Sequence, residues 1–202
     1  MARIIVSEFV TLDGVMEAPG GEPGHPHSGW VFAFMGPEQV QYKFDEVQHA
    51  ESMLIGRVTY ESFVGAWPQR TGEFADRMNE MPKHVVSTTL REPAWTNTRV
   101  IAHDVKGEVE RLKAGSRGPI VVAGSRTLVH TLMAHDLIDE YRLMVFPVIL
   151  GSGRRLFPES PDKTDLRLVD TRAFPTGVVV QTYHAIRSQP ATPSPSASGA
   201  MT

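Results

Sequence analysis

The chain has 202 residues, 41% of them hydrophobic, a formal net charge of −3 and no cysteine. A chain of this size buries one sizeable core, and its length favours a single domain. The composition excludes disulfides, thiolate catalysis and cysteine-ligated metals, and the interspersed charges leave no basic footprint for nucleic acid or an anionic membrane.

Apolar, β-rich runs and helical patterns alternate along the chain. A first strand is expected over residues 3–10, followed by a long segment, 11–37, rich in Gly, Pro and His. Pro37 suits the first turn of a helix in which Val40, Phe44 and Val47 recur at helical spacing. A strand at 52–55 runs through Gly56 into a second helix, and further strands are expected at 84–87 and 99–101. Val105, Val109 and Leu112 mark a helix that stops at Gly115. A strand at 119–123 then leads to a helix carrying Leu128, Val129, Leu132 and Met133, with Ser125 as its expected N-cap. The strand at 141–148 is followed by two more, 167–174 and 178–183, joined by Pro175-Thr176-Gly177 as a hairpin. Strand and helix in repeated alternation imply an α/β fold, with a mostly parallel central sheet covered by helices on both faces. The last segment, SQPATPSPSASGAMT at 188–202, has no charge and three prolines. It is expected to be a disordered tail on a single domain of residues 1–187. No long charge-free apolar run could span a bilayer, and MARIIVSEF lacks a signal-peptide core, so the expected location is cytoplasmic.

The run MLIGRVTYESF at 53–63 carries the most chemistry. Gly56 lets the chain turn from a strand into a helix whose exposed N–H groups and positive dipole end suit a phosphate. Arg57 adds a permanent charge and Thr59 a hydroxyl. Taken alone, the same run is also a plain strand, turn and helix with an exposed arginine.

GRVTYES resembles the GRxTxES segment of dihydrofolate reductases, and four further pieces resemble the related RibD C-terminal reductase family in order. They are VSEFVTLDGVME (6–17), KHVVSTTL (83–90), IVVAGSRTLV (120–129) and LIDEYRLMVFPVILGSGRRLF (137–157). The resemblance covers the chain to about residue 186 and implies a dihydrofolate-reductase-like three-layer fold with a C-terminal β-hairpin. It implies that Gly56, Arg57, Val58 and Thr59 hold the phosphates of NADPH and that Ser87 and Thr88 lie near the adenosine 2′-phosphate. Gly124, Ser125, Arg126, Thr127 and Leu128 would cradle the pyrophosphate, and Gly14 would line the cofactor side of the mobile loop. AGSRTL lacks the G-x-G-x-x-G fingerprint and no acidic residue follows at ribose-binding spacing, which favours NADPH over NADH.

Residues 11–37 fall where dihydrofolate reductases carry their active-site loop, so a lid is expected there. Asp13 is the candidate catalytic residue, orienting substrate beside the hydride donor, or else a turn residue of an Asp-Gly pair. Met16, Trp30, Pro147 and Arg154 are candidate substrate contacts; Trp30 fits core packing equally well, and Arg155 is an alternative to Arg154. Phe146 and Leu150 read as core, and Gly151-Ser152-Gly153 fits a turn. His25 and His27 lack a third ligand at suitable spacing, so no metal is expected. Asp139 and Glu140 are adjacent on a strand and point to opposite faces, so they do not converge. The buried acid that a dihydrofolate reductase carries on the helix after its loop has no clear match; Glu38 and Asp45 are the nearest residues. The zinc deaminase signature is absent.

The expected function is NADPH-dependent hydride transfer to a small planar heterocycle or carbonyl compound. Alternatives are a pyrimidine or pterin reductase of riboflavin or folate metabolism, and a non-catalytic NADPH-binding sensor. The family leads one to expect a homodimer, with the strand at 141–148 or its neighbours at the interface.

Overall fold

The computed structural model describes residues 1–159 and 163–186; the tail expected at 188–202 lies outside them. Eight strands form one sheet: β1 (Ile4–Thr11), β2 (Ser52–Gly56), β3 (Lys83–Val86), β4 (Thr98–Ile101), β5 (Ile120–Val122), β6 (Glu140–Phe146), β7 (Leu166–Ala173) and β8 (Val179–Ala185). Their order is β4-β3-β2-β5-β1-β6-β8-β7. The first six strands pair in parallel, and β8 and β7 add antiparallel at one end. The expected fold class holds, hairpin included: the turn closes by Gly177 N–H donating to the Phe174 carbonyl at 2.9 Å.

β1 lies between β5 and β6, which is why it reads as a nearly continuous apolar run. The chain leaves β1 through α1 (Pro37–His49) towards β2, but leaves β5 through α5 (Arg126–Ala134) towards β6. The neighbours β1 and β5 therefore send their connections in opposite directions, and a crevice opens between their carboxyl ends.

One face of the sheet is packed by α1, α2 (Arg57–Ala66) and α3 (Glu73–Glu80) around Val47, Ile55, Tyr60, Met78 and Val85. The other is packed by α4 (Val105–Gly115) and α5 around Ile4, Val6, Val109, Val129 and Leu132. A third cluster, with Trp30, Phe146, Phe174 and Val180, fills the space under the long loop.

The helices depart from the sequence pattern in two places. Helix α3 carries no apolar periodicity that marks it in the sequence, because in EFADRMNE only Ala75 and Met78 are buried. Of the expected stripe on α1, Val47 is buried but Val40 is 45% exposed, and the polar Gln39 and Glu46 are buried beside Val47. The strand expected at 141–148 is β6, paired on both sides by β1 and β8; the edges of the sheet are β4 and β7, and β7 is exposed along nearly its whole length.

Candidate active site

On one side of the β1–β5 crevice the turns that follow β2 and β5 meet. Gly124 and Ser125, which follow β5 after Ala123, both adopt left-handed backbone conformations, with φ of +57° and +64°. Glycine is required at 124 on two grounds. A side chain is disfavoured at that φ, and a Cβ there would lie 2.8 Å from Thr59 Oγ1. The turn is clamped to the first turn of α2: Ser125 N–H donates to Thr59 Oγ1 at 2.9 Å, and Gly56 N–H donates to Ser125 Oγ at 2.8 Å.

Ser125 stands at the expected N-cap position of α5, but its side chain does not cap that helix; it is turned towards Gly56 and Thr59. Helix α2 has no side-chain cap either. Two helix N-termini thus converge on one crevice with first-turn amides that no side chain has taken, an arrangement suited to a multiply charged anion.

A polar cluster lies behind the cradle. Glu8, on β1, is buried, and its Oε2 accepts the Gly124 N–H at 2.9 Å. Burial pushes the Glu8 carboxyl well above its usual range against the opposing pull of Lys43 and the Gly124 amide, and Glu46 adds to the rise. On the neighbouring position of β1, Ser7 Oγ donates to the Glu46 carboxylate at 2.7 Å. Lys43 also bonds Glu46 and lies 2.6 Å from Ser7 Oγ, and Arg142 Nη1 stands 3.3 Å from Glu46 Oε1. Burial would raise Glu46, but Lys43, Ser7 and Arg142 together hold it below the usual carboxylate range. The buried acid of α1 is therefore Glu46; Glu38 and Asp45 are exposed. A sequence signal existed: the Ser-Glu pair inside IIVSEFV is out of place in a strand buried on both faces.

The RibD C-terminal domain model matches residues 2–180. The chain belongs to that family. A relative, the uncharacterised protein YyaP of Bacillus subtilis (strain 168), is 29% identical over 188 residues, covering 90% of this chain and 94% of YyaP. Among solved structures, a putative riboflavin biosynthesis protein from Shewanella sp. PV-4 has a TM-score of 0.75 at 21% identity, over 93% of this chain and 100% of that one. Dihydrofolate reductase from Enterococcus faecalis, solved with NADP(H) and RAB-propyl, has a TM-score of 0.60 at 17% identity, over 91% of this chain and 96% of the other. These likenesses show the dihydrofolate-reductase fold, and family membership supports a reductase role.

Within this RibD C-terminal domain, Gly56, Thr59, Gly124 and Ser125 come together as one hydrogen-bonded unit. Arg57 and Val58 are exposed on the first turn of α2, and Arg57 pairs with Glu61 at 2.7 Å. Arg126 Nε donates to the Arg155 carbonyl at 2.7 Å, and Thr127 is exposed. Leu128 has its side chain in the core, which leaves its backbone for any ligand contact. Ser87 Oγ accepts the N–H groups of Thr89 and Leu90, at 3.1 and 2.9 Å, so it shapes its own turn; Thr88 is exposed.

Asp13 has partners in a second loop. Its carboxylate accepts the Thr11 hydroxyl at 2.6 Å, the Gly151 N–H at 2.9 Å and the Leu150 N–H at 3.3 Å. Those bonds, Thr11 foremost, hold it below the usual carboxylate range. Gly14, at φ +82°, accepts the Leu156 N–H through its carbonyl, and Met16 N–H donates to the Arg154 carbonyl. The base of the long loop is thus sewn to residues 150–156. Arg154 pairs with Glu17 at 3.0 Å, Met16 is in the core, and Pro147 is exposed beside Gly177. Trp30 is buried in the third cluster: it stacks edge-on against Phe146 at 5.2 Å, and its indole N–H donates to the Glu17 carbonyl. His25 and His27 lie with ring centres 5.9 Å apart, and among the described residues no group of three or more His, Asp or Glu could hold a metal. Among the same residues no helix is long and apolar enough to cross a membrane.

Proposed function

We propose that this domain is an NADPH-dependent reductase that transfers hydride to a small planar heterocyclic or carbonyl-bearing compound in the cytoplasm. The observation that carries the reading is the convergence of the two uncapped helix N-termini at the Gly56–Thr59–Gly124–Ser125 unit, at the crevice between β1 and β5. The cradle fits a pyrophosphate because Gly124 brings backbone to the surface where a Cβ could not sit. The nicotinamide supplies the hydride when bound; the protein supplies orientation and electrostatics. In this reading the amides of α2 and α5 hold the phosphates, and Arg57 reads the 2′-phosphate with its planar fork. Asp13 keeps the loop base closed over the strand ends rather than meeting substrate. A homodimer is part of the proposal, with the exposed β7 edge as the surface that a second copy would cover.

The test is a fluorescence titration with NADPH and NADH, followed by NADPH consumption with dihydropterins, flavins and ribosylamino-pyrimidines. Saturable NADPH binding and substrate-dependent consumption are expected. Binding without consumption across the panel favours the sensor alternative, and no binding defeats the reading. Sedimentation of the purified chain as a monomer at micromolar concentration would remove the dimer.

A further inference from the structure

Glu8 is the one residue of the crevice that, among the described residues, carries a buried side-chain atom without a partner. Among the described residues, three buried side-chain oxygens lack a partner, Glu8 Oε1, Ser52 Oγ and Thr98 Oγ1, and Glu8 Oε1 is the one that belongs to a carboxyl group. Ser52 opens β2, and Thr98 opens β4, both at the amino ends of the sheet strands; Glu8 lies towards the carboxyl end of β1. The register Val6 to Val122 sets Glu8 beside Gly124, where Oε2 receives the backbone N–H of the cradle turn.

The two oxygens therefore differ in kind. Oε2 faces a donor, so it acts as an acceptor, and any proton on the carboxyl belongs on Oε1. Among the described residues an Oε1 hydroxyl has no acceptor. Leaving a buried donor unmade costs about 1–3 kcal/mol, and that loss is recovered when a ligand brings an acceptor.

We propose that Glu8 is the general acid of this site and that its Oε1 hydroxyl meets a carbonyl oxygen or an imine-type ring nitrogen of the substrate. The inference rests on the reductase reading and adds to it the substrate class: a compound with a polarised C=O or C=N bond whose acceptor atom reaches the β1–β5 crevice. In the reduction, the carbon of that bond accepts a hydride from the reduced nicotinamide. The π pair moves onto the heteroatom, which takes the proton from Glu8 Oε1. The substrate is reduced by two electrons, the nicotinamide is oxidised, and Glu8 is left as a carboxylate until a solvent proton restores it.

The surroundings suit a group that must be neutral before the step and tolerated as an anion after it. Burial favours the protonated form, and the charged groups bearing on the carboxyl come from α1: Lys43, which stabilises the anion, and Glu46, which opposes it. From the β5 side the contact is the Gly124 amide. The other two acids of the region are engaged. Glu46 bonds Ser7, Lys43 and Arg142, and Asp13 bonds Thr11, Leu150 and Gly151.

The experiment compares the wild-type chain with Glu8→Gln, which keeps an acceptor for the Gly124 amide but has no transferable proton. Carboxyl-labelled glutamate NMR, with the Glu8 signal assigned by its loss in the variant, reports protonation without any turnover. The expected result is a Glu8 carboxyl still protonated at pH 7, with and without NADPH. NADPH affinity by fluorescence should be the same in both proteins. With dihydropterin, ribosylamino-pyrimidine and aromatic aldehyde probes, the hydride-transfer rate in a single turnover should fall by about 10²- to 10⁴-fold in Glu8→Gln, with loss of the alkaline fall in the wild-type pH profile. A Glu8 ionised at pH 7 overturns the proposal whatever the turnover, and so does a variant as fast as wild type. Failure of wild type to bind or consume NADPH defeats the reductase reading instead, and with it the role assigned to the Glu8 proton.

Discussion

Arg57 is nearly half exposed and its guanidinium bonds Glu61 one turn along α2, at 2.7 Å. An exposed pair of this kind contributes only ~0.3–0.5 kcal/mol, so a phosphate can compete for the arginine. Arg57→Ala should weaken NADPH binding by about 1.5–3 kcal/mol, the scale of a charge-assisted hydrogen bond, and leave NADH affinity nearly unchanged. Parallel fluorescence titrations check this; equal losses for the two cofactors would show that Arg57 does not read the 2′-phosphate. Asp13 acts on the chain itself, since its carboxylate joins the turn after β1 to Leu150 and Gly151. Asp13→Asn keeps one acceptor and loses the charge, at a cost of about 1.5 kcal/mol. That loss should lower Tm by about 3–6 °C and leave NADPH affinity as it was. If turnover falls by orders of magnitude in a variant with intact binding and Tm, then Asp13 touches substrate and is not merely a latch.

At the scale of elements, the cradle turn and helix α3 show what a sequence displays and what it hides. Gly124→Ala forces a Cβ to within 2.8 Å of Thr59 Oγ1 at a left-handed φ. It should weaken NADPH binding at least tenfold and lower Tm, and Thr59→Ser, which removes the methyl but keeps the hydroxyl, should bind as wild type does. Glycine at the end of an apolar run is visible in the sequence, as are the six parallel strands, because buried parallel strands are continuous apolar stretches bounded by turn residues, while β7 and β8 are marked by the turn residues Pro175-Thr176-Gly177 between them. Helix α3 was not visible, since much of what holds it lies in the tertiary fold. Lys83 on β3 is fully buried and donates to the carbonyls of Asn79, Met81 and Thr96, at 2.6, 2.9 and 3.0 Å, with its ammonium 4.3 Å from the Trp95 ring centre. It fastens the C-terminal end of α3 to the loop before β4, while burial brings its pKa down to about 8. Lys83→Met leaves those carbonyls without a donor and should cost about 3–5 kcal/mol, a fall in Tm of about 6–20 °C by thermal melting. The site was half legible for the same reason. Gly56, Thr59, Gly124 and Ser125 sit in turns that announce themselves, whereas the alliance of Glu8 with Gly124, and of Ser7 with Glu46, joins residues 116 and 39 positions apart.

At the scale of the whole molecule, the two buried acids beside β1 make stability depend on pH in opposite directions. Glu46 is held below its usual range, so its contribution is present above the unfolded-state pKa of ~4.3 and is lost as pH falls through the folded value. Glu8 is held above its usual range, so its contribution is complete below ~4.3 and is lost as pH rises towards the folded value. Over that second window the unfolded chain has released the Glu8 proton and the folded chain still holds it. Each pH unit then removes about 1.4 kcal/mol of stability at this site. Glu8→Gln cannot ionise and abolishes the dependence. The difference in Tm between wild type and Glu8→Gln should therefore be constant below pH 4. It should then shift against wild type by about 3–5 °C per pH unit, and level off once the pH passes the folded-state pKa of Glu8. Thermal melts of both proteins from pH 3.5 to 9 measure that curve, and its plateau locates the pH at which the crevice becomes charged. A difference that stays flat from pH 5 to 7 would mean that Glu8 is already ionised in the folded protein, with Lys43 compensating its burial.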